Sequence, residues 1–355
     1  MESGDKQREK APARTGLGAT MADVAAIAGV TKMTVSRVLR HPEQVRADTR
    51  DRVLGVMGKL GYVPNRLAGS LTAGRSGLVA AIVPTLRHSL FADTIEGMSD
   101  VLAESGLDLI VANSRYRADV EESQIRTLLE RRPDAIVLTG LTHTPEARHL
   151  LARSGIPVVE TWESTDSPID VAVGFSNRDA AEAMTLALVE SGYRRIAFVN
   201  GPSDSNERAR HRAEGYQAAM AAADLPALPI EVVRDVGAIR VETGGKVLRK
   251  LVRTPSPPDA IFFTSDVFAV GAIIECRALG IRVPEQLGIA GFHDLEMGRL
   301  VSPTLTTVHV PALEIGRRAG QAILARLAGQ GEVNSTELAF KIVRRESTLK
   351  PAKTA

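Results

Sequence analysis

The stretch Asp23-Val-Ala-Ala-Ile-Ala-Gly-Val-Thr-Lys-Met-Thr-Val-Ser-Arg37 has residue types and spacing suited to gripping a polyanion. Two short helices meeting at a sharp angle need a small residue in the first, here Ala25 or Ala26. They also need a residue tolerant of positive φ in the turn, here Gly29. Thr31 then caps a second helix, which shows Lys32, Met33, Thr34 and Arg37 on its free face with Val35, Val38 and Leu39 packed behind. Such a helix can read base edges with its first turns and hold phosphate with Lys and Arg, although an ordinary three-helix knob with a solvated basic face has the same pattern.

A second set of residues suits a small polar ligand. Ser265-Asp266 and His293-Asp294 each follow an apolar run, and Asn177 follows Val173-Gly-Phe-Ser. Asn177 could bond ligand hydroxyls, while Asp266 could equally cap the helix that begins near Val267. The loop Pro84-Thr-Leu-Arg-His-Ser-Leu-Phe91 offers donors, and Trp162, the only tryptophan, could form an aromatic wall or simply pack. No phosphate loop, nucleophile elbow or zinc-binding His-Glu-x-x-His is present, and the seven histidines lack ligand spacing. Neither a cofactor nor a metal is expected.

These residues need elements to hold them. Thr20 to Tyr62 is helical in pattern throughout: Val24, Ile27 and Ala28 form one stripe, Val35, Val38 and Leu39 a second, Val53, Val56, Met57 and Leu60 a third. Asn65 to Leu71 is a short helical stretch that Gly69 weakens. Beyond Gly77 apolar runs recur at 78–83, 107–111, 135–138, 156–159, 171–175, 196–199, 260–263 and 287–292, with amphipathic segments between most of them. That alternation predicts parallel sheets covered by helices on both faces. A strand, loop and helix containing Glu-Gly occurs twice, ending at Gly97 and at Gly215, which predicts two similar α/β halves with a cleft at their strand carboxyl ends.

A chain of 355 residues suggests two or three compact units, and 44% hydrophobic with 24% charged residues is ordinary for a soluble globular protein. The net charge of +2 is unevenly spread: residues 1–75 hold 13 Lys+Arg against 7 Asp+Glu, the remainder 31 against 35. A basic head on a slightly acidic body predicts that the head alone meets a polyanion. One cysteine, Cys276, excludes an internal disulfide framework, and neither a signal-peptide core nor a membrane-spanning run is seen. The expected location is the cytoplasm, with no membrane partner.

Met21–Arg40, then Gly61-Tyr-Val-Pro-Asn-Arg-Leu-Ala68 with Leu71, closely resemble the lactose/galactose repressor family of bacterial transcription regulators. The resemblance runs from about residue 20 to 347 and includes Asp266, Val283-Pro284, Gly291-Phe292 and Pro303–Thr307. Residues 31–45, 172–177 and 291–293 look most like gluconate-operon repressors. The resemblance implies that Lys32, Met33 and Arg37 contact operator DNA, that Asn65 to Leu71 is a hinge helix, and that Leu71 is a minor-groove wedge. It also implies effector contacts from Arg212, Ser89 and Phe91, beside Trp162, Asn177, Ser265, Asp266 and His293. Many members carry aspartate where His293 stands, a departure that favours a sugar acid over a neutral sugar.

The expected organisation is a disordered arm at 1–19, a helix-turn-helix domain at 20–64, and a hinge helix and linker at 65–76. An α/β body like periplasmic binding proteins follows at 77–347, its two subdomains meeting near 173 and the chain crossing back near 305, with a tail at 348–355. The expected protein is a homodimeric repressor on a pseudo-palindromic operator in double-stranded DNA, not an enzyme. A sugar-acid effector such as gluconate or 2-ketogluconate would act as inducer. The alternatives are a repressor responding to a neutral sugar or purine, and, in a different class, an α/β sugar-binding enzyme such as a kinase.

Overall fold

The computed structural model describes residues 18–63, 75–87, 91–202, 206–234, 240–331 and 333–349. The expected arm up to residue 17, the hinge residues Asn65 to Leu71, and Ser89 lie outside the described residues. The chain divides into two units, 1–74 and 75–355.

The first unit is built by its caps. Thr20 accepts from the Asp23 N–H at 3.3 Å while the Asp23 carboxylate accepts from the Thr20 N–H at 2.8 Å. This reciprocal box starts α1, Met21–Ala28. Gly29, at φ 66°, stops it with its N–H on the Ala25 and Ala26 carbonyls. Thr31 accepts from the Thr34 N–H at 3.2 Å and starts α2, Lys32–Arg40. A short 3-10 turn at Pro42–Gln44 leads to α3, Ala47–Leu60, which Gly61 ends at φ 59°. Val24, Ala25, Ala28, Val35, Val38, Val53 and Met57 form the core. Ile27, expected on the buried stripe of α1, is 62% exposed, and Ala25 takes its place, because the partners sit one residue further round the helix.

The second unit has two six-stranded sheets. The first sheet takes β1 (Leu78–Val83), β2 (Asp108–Asn113), β3 (Ala135–Thr139), β4 (Val158–Thr161) and β5 (Val171–Gly174), interleaved with α4 (Ala92–Glu104), α5 (Ala118–Glu130) and α6 (Pro145–Ser154). The chain then crosses to α7 (Asn177–Glu190), β6 (Ile196–Asn200), α8 (Glu207–Ala222), β7 (Glu231–Val232), α9 (Val241–Val252), β8 (Ala260–Phe263) and α10 (Asp266–Ala278). β9 (Gly288–His293), α11 (Met297–Leu300) and β10 (Thr306–His309) complete that half. The chain returns through α12 (Ala312–Leu327) to β11 (Thr336–Glu337), and ends with β12 (Lys341–Val343) on the second sheet.

The sheet orders are β11-β5-β4-β3-β1-β2 and β12-β10-β9-β8-β6-β7. Every pairing is parallel except β10 with β12. All eight apolar runs are strands. The repeated Glu-Gly has a packing reason: a Cβ at Gly97 would come 2.3 Å from the Leu313 carbonyl on α12, and one at Gly215 would come 2.1 Å from the Arg178 carbonyl on α7. Each glycine lets two helices, α4 with α12 and α7 with α8, cross closely at equivalent places in the two halves.

Candidate functional site: a cationic cleft and an exposed basic helix

Parallel strands present their carboxyl ends to the same side, so the loops after β1, β2, β4, β6, β8 and β9 converge between the halves. They line a cleft of about 640 Å³, counting its open mouth, walled by Phe91, Tyr116, Trp162, Arg208, Arg212, Phe268 and His293 among others. Non-glycine residues at these strand ends hold positive φ: Arg115 at 56° and Tyr116 at 57°, Trp162 at 73°, and His293 at 106° with Asp294 at 59°. Sparsely populated backbone of this kind collects where a fold aims side chains at a site.

The wall is aromatic on one side. Trp162, buried, meets Phe91 edge-on with centroids 4.8 Å apart and His293 at 5.9 Å. Facing it are cations. Arg212, on α8, donates from Nη1 to Asn177 Oδ1 at 2.8 Å, and Asn177 Nδ2 donates to the Trp162 carbonyl at 2.8 Å. The Arg212 guanidinium also lies 5.2 Å from the Phe292 ring centre. Burial, and then the neighbouring Arg208 charge, pulls Arg212 down to about 10. Burial and the Arg212 charge push His293 well below its ordinary range, so its imidazole is neutral.

Three buried polar atoms on this wall have no hydrogen-bond partner among the described residues: Trp162 Nε1, Arg212 Nε and His293 Nδ1. Native interiors rarely leave such atoms unpaired, so the cavity lined by their three residues is the candidate site for a polar ligand. Among the described residues no group of three His, Cys, Asp or Glu could hold a metal.

The residues singled out from sequence divide in two. Phe91, Trp162, Arg212, Ser265 and His293 line the cleft. Asn177 and Asp266 stand behind it. The Asn177 amide is taken up by Arg212 and Trp162. Asp266 is fully buried: it accepts from Thr307 Oγ1 at 2.6 Å and from the Leu295 N–H at 2.7 Å, and burial raises its carboxyl to about 7. It neither caps its helix nor reaches the cavity.

Asp294, adjacent to His293, is occupied by Arg345 at 2.6 Å, Arg299 at 2.9 Å and His309 at 3.1 Å. Tyr116, Asn206 and Arg208 line the cleft and were not singled out. Arg208 had a legible signal: it lies four residues before Arg212, on the same face of α8.

On the first unit, Lys32, Met33 and Arg37 are exposed on α2 and Thr34 is half-buried, with Met33 at 71% exposure.

A helix-turn-helix unit and a two-lobed α/β body together are the architecture of a DNA-binding transcription regulator. A model of bacterial regulatory proteins of the lacI family matches residues 20–65, and a periplasmic binding protein-like domain matches 185–348. The HTH-type transcriptional regulator GntR of Escherichia coli K12 is 36% identical over 87% of this chain and 92% of its own length. IdnR of the same strain is 34% identical over 91% and 96%. A LacI-family regulator from Silicibacter pomeroyi has the same fold with a TM-score of 0.87, at 34% identity over 94% of this chain and all of that one. The chain belongs to the LacI family: it is a DNA-binding transcriptional repressor. No helix among the described residues is long and apolar enough to cross a membrane.

Proposed function

We propose that the cleft binds a small sugar acid of the gluconate or 2-ketogluconate type, and that this effector releases a homodimer from a pseudo-palindromic operator in the bacterial cytoplasm. The observation that carries this reading is the pair Arg208 and Arg212 in one buried cleft. Among the described residues no carboxylate stands within ion-pair distance of Arg212. A buried cation without a counter-ion is costly, and an anionic ligand removes that cost. The unpaired donors on Trp162 and Arg212 suit sugar oxygens, and the neutral His293 accepts or donates according to its tautomer. The resemblance of residues 172–177 and 291–293 to gluconate-operon repressors points the same way, as do relatives named GntR and IdnR.

The mechanism is linkage. If the operator-bound form binds effector less well, effector lowers operator affinity by the same factor. The reading is that of a regulator whose ligand is bound and released unchanged. Lys32, Met33, Thr34 and Arg37 on α2, with Thr31 capping it, would meet the operator, and Asn65 and Leu71 would act in the hinge.

A thermal-shift panel on the full chain, followed by calorimetry, tests this. Gluconate, 2-ketogluconate and 6-phosphogluconate are set against glucose, ribose and purines. Dose-dependent stabilisation by one acid, with the neutral sugars silent, supports the reading. Stabilisation by glucose, ribose or a purine, with the acids silent, overturns it, and turnover of a bound sugar would make the protein an enzyme.

A further inference from the structure

The first turn of α8 belongs to the second sheet but reaches the first. Glu207 Oε1 accepts from the Leu141 N–H at 2.9 Å, and the same carboxylate bonds the Thr142 hydroxyl. Leu141 and Thr142 follow β3, on the opposite side of the cleft. Gly140, just before them, holds φ 95°, and a Cβ there would come 2.2 Å from Arg208 Nη1 and 2.5 Å from Glu207 Oε1. The φ of 95° strains any other residue there, and a Cβ would also push the Glu207–Arg208 pair away from that turn.

The turn is itself anchored. Gly140 donates its N–H to the Thr161 carbonyl at 2.8 Å, next to Trp162. Just beyond it, His143 lies between Glu121 at 2.6 Å and Glu160 at 3.2 Å.

Arg208 is nearly buried, lines the main cavity and also a smaller one beside Pro84, Ser114 and Thr139, and bonds only Glu207, at 3.5 Å, among the described residues. Arg212 is different, since Asn177 already fixes one of its nitrogens. Most of the Arg208 fork is therefore open to a ligand, and a planar fork suits a carboxylate.

We propose that Arg208 is the residue that tells an acid from a neutral polyol in this cleft, while Glu207 beside it fastens the two halves together across the ligand. This rests on the reading of the cleft as a sugar-acid site. The two residues have separable effects. Loss of Arg208 removes binding energy from acids alone. Loss of Glu207 weakens closure and so weakens every cleft ligand by the same factor, acid or neutral.

The test uses the full chain with gluconate and its uncharged amide, gluconamide, by calorimetry, together with hydrogen exchange of the Leu141 amide in the absence of ligand. Arg208→Gln is expected to cut gluconate affinity roughly 10- to 100-fold, the range of a lost hydrogen bond to a charged group, and to bring the gluconate-to-gluconamide ratio towards one. Arg208→Lys keeps the charge, loses the fork, and falls between. Glu207→Gln lowers both affinities alike and speeds exchange at Leu141.

An Arg208→Gln protein that keeps the wild-type ratio overturns the acid-reading role. A Glu207→Gln protein with unchanged Leu141 exchange overturns the fastening role. If the wild type binds no acid, the sugar-acid reading falls and the role of Arg208 with it, whereas the exchange measurement still decides the role of Glu207.

Discussion

Arg212 and Asn177 meet at 2.8 Å on α8 and α7, two helices that flank β6 in the chain and pack against each other. The bond fixes one nitrogen of the guanidinium and leaves Nε unpaired on the cavity wall. Asn177 is thus a positioning residue: its amide joins the cation of one wall to the Trp162 carbonyl of the other.

Replacing Arg212 by Ala should abolish the effector response, with effector affinity falling by roughly 100-fold or more, because a buried charge-assisted contact and its aromatic stacking are lost together. Asn177→Ala should cost less, about tenfold, by freeing the guanidinium to wander. Calorimetry with the best acid of the panel checks both, and an Arg212→Ala protein with a normal response would remove Arg212 from the site.

Arg37→Ala should weaken operator binding and reduce the slope of log affinity against log salt by about one, since one phosphate neutralisation is lost. Fluorescence anisotropy on a labelled operator between low and physiological salt measures it. An unchanged affinity and slope would mean that the exposed face of α2 is not the DNA-contacting one.

His143 sets a pH dependence. Burial pulls its imidazole down, but the carboxylates of Glu121 and Glu160 outweigh that and hold it up at about 9, against an ordinary 6.5. A base held above its unfolded value stabilises the fold fully below about pH 6.5, and that stability is lost as pH rises through 9. The amount is on the order of 3 kcal/mol. Asp266, raised by burial to about 7 from 3.8, adds a separate decline at lower pH, between those two values. Thermal melts of wild type should therefore fall across pH 6.5–9, and His143→Gln should flatten that limb while keeping the lower one. Parallel curves for the two proteins would refute the assignment.

The first unit was legible almost residue by residue, because everything that shapes it is local. Gly29 supplies the positive φ of the turn, and Thr31 satisfies the N–H of Thr34 three residues on. The strand runs were legible for a related reason: a strand buried on both faces is apolar along its length. What escaped were the short strands β7, β10, β11 and β12, three of them at sheet edges, whose formation depends on a neighbour far along the chain.

The cleft divides the same way. Sequence by itself determined that strand ends would carry polar residues and that Trp162, Arg212 and His293 were among the candidates. It could not rank them, since burial and pairing are properties of the closed molecule. Only the tertiary structure took Asp266 out of the cavity, by giving both its oxygens to Thr307 and Leu295. Only it held His293 neutral, by burying the ring beside Arg212. It also brought Arg208 against Gly140, 68 positions earlier in the chain. Such relations join residues from different strands and helices, and no local periodicity records them.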